Sequence, residues 1–214
     1  MNLRFPFAYE GTKTLFTAGV LEFIGSLLYL GALLLILINP LAGAIVSMFF
    51  VFAGLILQLL AVIFRMIGIY KTGRDEPLSA KAFILAVIAL ILSVGRIFFK
   101  GNLRTVLDLA ALALSLVITM MVFTGLIRLF EHTGSAAAAA SGRILRIVFA
   151  AAIVVSDVCS LLLTGRSGLS GYGPYVGIAL GAFAASIIAY VAYLKFLAGA
   201  RNELESLRQQ NNTY

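Results

Sequence analysis

Tyr70-Lys71-Thr72-Gly73-Arg74-Asp75-Glu76-Pro77-Leu78-Ser79-Ala80-Lys81 is the most densely charged run in the chain, and an apolar segment long enough to cross a bilayer flanks it on each side. Lys71, Arg74 and Lys81, with Arg65 about a turn and a half earlier, form the kind of cationic cluster that stays on the cytoplasmic side of a membrane. The stretch therefore reads as an inner turn, and the remaining segments alternate outward from it.

Composition agrees with that reading. Of 214 residues, 62% are hydrophobic and only 12% charged, with a mean hydropathy of +1.06. A soluble domain has roughly a quarter of its residues charged, so an ordinary soluble fold is excluded and an all-α integral membrane protein is predicted. A net charge of +7 would suggest nucleic acid in a soluble protein. Here the cations flank apolar spans, where they meet anionic head groups, so the expected partner is the lipid bilayer and no nucleic acid. The lone Cys159 excludes an intramolecular disulfide. The first apolar run, Leu15 to Ile38, is longer than a signal-peptide core and is followed by no small-residue cleavage site, so it is expected to remain as a span.

Six transmembrane helices are predicted, 15–38, 41–69, 82–99, 103–130, 144–163 and 175–196, arranged as three antiparallel hairpins in one domain covering 15–198. Residues 1–14, with Arg4, Lys13 and several aromatic rings, suit the head-group region. Residues 199–214 read as a polar cytoplasmic tail whose first part, around Glu203 to Arg208, extends the last helix by a turn or two. Asn39-Pro40 is a minimal turn. The five alanines Ala136–Ala140, framed by glycine and serine, are too short a run to hold a helix alone and predict a flexible loop. The glycine-rich stretch 164–174 predicts an irregular outer loop. Twelve of the sixteen lysines and arginines fall on segments this topology places inside, which orients both termini to the cytoplasm of a bacterial inner membrane. With no tryptophan present, Tyr70, Tyr190 and Tyr193 are assigned to the inner interfacial belt.

Ionisable groups within hydrocarbon are costly and need a partner. Glu22 is the deepest. It lies at the same depth as Gln58 across the Asn39-Pro40 turn, so the two form a candidate intramembrane polar site, either a clamp between helices or a proton or cation site. A clamp on Gln58 would tolerate Glu22→Gln. The nearest cation, Arg65, falls about two turns away along the hairpin. Arg96, Asp108 and Asp157 fall at comparable depth near the outer surface and form a second candidate charge cluster. Gly177, Gly181, Ala185 and Ala189 make a small-residue ridge that admits close helix packing, matched on span five by Ala152, Ser156 and Ser160. The ridge serves either this hairpin or a homo-oligomer, and in the first case a large side chain at Gly181 forces helices apart.

Catalytic templates fail. Gly165-Arg166-Ser167-Gly168 has the shape of a rhomboid-protease motif, but the sole histidine, His132, falls on the opposite membrane face. One histidine, one cysteine and nine acidic residues offer no plausible zinc or two-metal site, and no cofactor is expected. In size, six spans and inner termini the chain resembles the substrate-binding subunits of energy-coupling-factor vitamin transporters, whose connections are longer than Asn39-Pro40; the resemblance carries over no functional residue. The expected function is non-enzymatic: an accessory or assembly subunit packing against other membrane proteins, or a small transporter or channel component acting at Glu22.

The topology makes one direct forecast. Reporter fusions after Gly73, Ser135 and Tyr214 are expected to report cytoplasm, and fusions after Gly101 and Gly168 the exterior. A periplasmic signal after Ser135 would break the six-span arrangement.

Overall fold

Two columns of small residues decide how the chain begins to fold. Gly11, Ala18, Gly25 and Ala32 recur every seven residues in the first apolar segment, and Ser47, Gly54, Ala61 and Gly68 recur at the same interval in the second. All eight are buried. A seven-residue repeat keeps one face of a helix turned to its neighbour, and small side chains on that face let the backbones close together.

The computed structural model describes residues 5–38, 40–95, 97–99, 101–164 and 172–212. These form six helices and no strand: α1 (Pro6–Ile38), α2 (Pro40–Gly73), α3 (Pro77–Gly95), α4 (Asn102–Thr133), α5 (Ala136–Thr164) and α6 (Tyr172–Asn212). All six are long and apolar enough to cross a membrane. Pro6, Pro40 and Pro77 each open a helix, where the missing N–H costs nothing and the fixed φ is already helical. Each helix packs against the next, and α1 also packs against α6, so the contacts form a closed circuit.

The small-residue columns form the α1–α2 seam. A Cβ on Gly11 would collide with the Thr72 Oγ1 and lie 2.8 Å from the Gly68 carbonyl, and one on Gly54 would meet the Gly25 carbonyl at 3.2 Å. Thr12 and Thr72 are buried beside the seam because each hydroxyl donates to a carbonyl one turn back in its own helix, Ala8 O at 2.8 Å and Gly68 O at 2.9 Å.

The charged stretch 70–81 ties one end of the bundle together. Asp75 accepts the Ala8 N–H at 2.7 Å and so caps α1 from the α2–α3 turn. Glu76 accepts the Ser79 N–H at 2.9 Å and caps α3. Lys71 pairs with Glu10 at 2.9 Å, and the Arg74 guanidinium lies 3.6 Å over the Phe7 ring. Glu76 and Ser79 in turn press on α4 where Gly125 leaves room: a Cβ there would lie 2.6 Å from the Glu76 carboxylate. The hydrophobic core gathers at this same end, around Phe123, Leu126, Phe130, Phe196 and Leu197. Phe123 stacks on Phe196 at 4.3 Å and tilts against Phe149 and Tyr193 at 5.5 and 5.7 Å.

Several expectations shift. Residues 136–140 are not a loop but the first turns of α5. Alanine has the highest helix propensity, the run continues into a span, and its start is docked: Ala139 is buried and Gly142 fits against Phe196 and Ile127. The turn shrinks to Gly134-Ser135, with Gly134 in the left-handed conformation (φ 82°) that ends α4. Ser135 Oγ bonds the Glu203 carboxylate, tying this turn to α6. The third helix starts at Pro77 and stops at Gly95, short of the expected Phe99. Helix α1 already includes residues 6–14, and α6 runs on to Asn212 with Leu204 buried. The expected outer loop 164–174 and the Asn39 turn fall largely outside the described residues.

The ridge on α6 is divided: Ala185 and Ala189 are buried, whereas a Cβ on Gly181 would meet nothing within 4 Å among the described residues. Gly177 lies in α6, and its surroundings fall outside the described residues. The seam and the ridge therefore respond oppositely to bulk. Gly11→Leu is expected to lower unfolding stability in detergent by about 1–3 kcal/mol or to prevent folding, and Gly181→Leu to leave it unchanged. Equal melting shifts in the two variants would contradict the assignment of the seam.

Candidate functional site: an ion pair beside an intramembrane cavity

Glu22 lies midway along α1, and its carboxylate is bonded by the Arg65 guanidinium of α2. Both side chains are mostly buried, 17% and 29% exposed. The backbone positions do not face each other squarely. Side chains on a helix lean toward its N-terminus, and in this seam the N-termini point in opposite directions, so Glu22 and Arg65 lean toward one another. That lean and the length of arginine close a gap that residue counting left at about two turns.

Gln58 does not clamp the Glu22 carboxylate. Its Nε2 donates instead to the Glu22 backbone carbonyl at 3.2 Å and to Ser26 Oγ at 3.3 Å. The Ser26 hydroxyl donates to the same carbonyl at 2.9 Å. Gly25 makes this possible, since a Cβ there would lie 3.2 Å from the Gln58 Nε2. From α6, the Tyr190 hydroxyl reaches both Glu22 and Ser26.

The pair opens on a cavity of about 140 Å³ where α1, α2, α4, α5 and α6 converge. Ser115, Thr119, Tyr190 and Tyr193 add hydroxyls to a wall otherwise built from apolar side chains such as Phe149 and Ile153. Thr119 donates its proton to the Ser115 carbonyl at 3.0 Å, leaving the hydroxyl oxygen able to accept. Tyr190 and Tyr193 were assigned to the interfacial belt; they belong to this interior site, Tyr193 being 5% exposed. A more open space of about 610 Å³ lies toward the α3–α4 connection, lined by Ile97, Arg104, Asp108, Ala111 and Leu112. Leu112 is shared by both spaces.

The second predicted cluster is only partly visible. Asp108 pairs with Arg104 one turn away at 3.9 Å. Arg96 and the Asp157 side chain lie outside the described residues. Among the described residues no three His, Cys, Asp or Glu side chains gather as a metal site.

Chemically, the centre is a neutral dipole of one carboxylate and one guanidinium, ringed by hydroxyls. It can bind a polar group or break and re-form. No family model, no curated protein and no solved structure matches the chain.

The pairing reverses the expected tolerance of Glu22→Gln. Losing the carboxylate leaves Arg65 unpaired, and breaking a buried pair costs about 3–5 kcal/mol. Glu22→Leu and Arg65→Leu are each expected to destabilise the protein in detergent by that order, and Glu22→Leu/Arg65→Leu by clearly less than the sum. Additive losses in this double-mutant cycle would remove the pair as an energetic unit.

Proposed function

We propose that this multi-pass membrane protein resides in a bacterial inner membrane as three antiparallel hairpins with both termini cytoplasmic, and that it acts as a small, non-enzymatic transporter or channel component centred on Glu22 and Arg65. The observation that carries this reading is the position of the pair: it lines a cavity within the bundle, and Leu112 borders both that cavity and a wider space beside Arg104 and Asp108. Charged side chains inside a membrane span are expensive to maintain, and they mark ion and substrate routes more often than they merely hold helices together. The lock also has two states. A proton on Glu22, or a cation in place of Arg65, breaks the pair and loosens α1 from α2, which links ion occupancy to helix packing.

A second reading, an accessory or assembly subunit, is favoured by the flank of α6 at Gly181, which is open among the described residues and where a helix of another membrane protein or of a second copy could approach.

Reconstitution separates the two. Liposomes containing the pure protein are expected to dissipate an imposed proton or sodium gradient faster than empty liposomes, and the folded fraction of the destabilised Glu22→Gln variant, isolated by size exclusion, to abolish the difference. Identical decay in all three samples, with a membrane protein co-purifying in stoichiometric amount, would replace the transporter reading with the accessory one.

A further inference from the structure

Tyr190 stands between two spaces. On one side is the polar cavity holding Glu22 and Arg65. On the other is a groove of about 480 Å³ between α1 and α6, walled by Phe23, Leu27, Phe183 and Ile187, with Ser26 and Ser186 at hand. Both walls fall within the apolar spans of their helices. Tyr190 lines both spaces and Ser26 borders the groove; the Tyr190 hydroxyl reaches Glu22 from α6, and the Ser26 hydroxyl donates to the Glu22 backbone carbonyl within α1. An apolar arm thus meets a small polar arm through a junction of hydroxyls.

We propose that groove and cavity are one binding site for a single-chain zwitterionic amphiphile, its hydrocarbon chain lying between α1 and α6 and its head group at the Glu22–Arg65 pair. A compact water-soluble solute would leave the groove unused, whereas a hydrocarbon chain matches its apolar walls. Charge selects the head group. The pair sums to zero, so a head group of either net sign would bring an uncompensated charge into low dielectric. A zwitterion instead sets its anion on the guanidinium and its cation on the carboxylate, and the hydroxyls of Ser26, Ser186 and Tyr190 bond its remaining polar atoms. This deepens the transporter reading by naming what its centre takes; the binding itself does not depend on ion flux.

The test is native mass spectrometry of the full chain in detergent, titrated separately with lysophosphatidylethanolamine, lysophosphatidylglycerol and monoacylglycerol. The zwitterionic probe is expected to form a singly occupied complex at about tenfold lower concentration than the other two. Ser186→Phe and Leu27→Trp, which fill the groove from opposite walls, are each expected to weaken that complex about tenfold. Leu27 is 42% exposed and accommodates bulk without disturbing the seam, so it keeps the test valid if the Ser186 variant does not fold. Glu22→Gln leaves the centre positive, and its preference is expected to move to the anionic probe. A structural role for the pair alone would not produce that switch. Equal retention of all three probes, no singly occupied complex, or full binding by Leu27→Trp would overturn the proposal. Liposomes that pass ions while no amphiphile binds would keep the transporter reading and discard this one; binding without flux would do the reverse.

Discussion

The close approach of α1 and α2 is the constraint from which the rest follows. Lipid chains are as apolar as leucine, so helices in a bilayer gain little from hiding apolar surface and depend on van der Waals contact and hydrogen bonds. Eight small residues provide that contact: Gly11 opposes Gly68, Ala18 opposes Ala61, Gly25 opposes Gly54 and Ala32 opposes Ser47 in a single register. A shift by one residue would turn the columns about 100° away from each other, and a shift by a whole heptad would leave one small residue on each helix unmatched. The register is therefore strongly specified, and it brings Glu22 within reach of Arg65 and gives Gln58 the space at Gly25 to reach the Glu22 carbonyl.

The turn between α2 and α3 adds a second constraint at one end. Its cations are what the proposed orientation rests on, while its two acids do local work that net charge conceals. Asp75 satisfies an orphan N–H of α1 and Glu76 one of α3, each at a helix N-terminus where a negative charge is also favoured by the dipole. Arg74 on Phe7 and Lys71 on Glu10 hold the start of α1 against the turn. The same short stretch thus fastens α1, α2, α3 and α4 together.

How much of this could be read in advance depends on range. Six apolar helices followed from composition and run length alone, because a bilayer leaves few backbone options. The shared depth of Glu22 and Gln58 also followed, since both were counted from one tight turn. The identity of Glu22's charge partner did not, because counting positions along helix axes ignores the lean of side chains toward the N-terminus and the length of arginine. Residues 136–140 were misjudged by weighing an alanine run in isolation, when its stability comes from continuing into α5 and docking against Phe196 and Ile127. The α1–α2 columns are present in the sequence but repeat every seven residues, a spacing less conspicuous than the four-residue repeat of Gly177, Gly181, Ala185 and Ala189. Asp75 and Glu76 before Pro77 are likewise a capping signal, embedded among the cations Lys71, Arg74 and Lys81.

The two ends of the bundle are unlike, and the ion pair sits between them. Toward the α2–α3 turn the helices are joined by caps, an ion pair and a stacked aromatic group around Phe123, all of which would be lost on separation. Toward the α3–α4 connection the described interior is lined instead by cavity and groove, and the apolar contacts there can be exchanged for lipid contacts at little cost. Glu22 and Arg65 lie at that boundary. There the pair joins α1 to α2 by a charged contact added to the small-residue seam, so removing either partner leaves the other without its counter-charge between helices that Gly25 and Gly54 still hold in register.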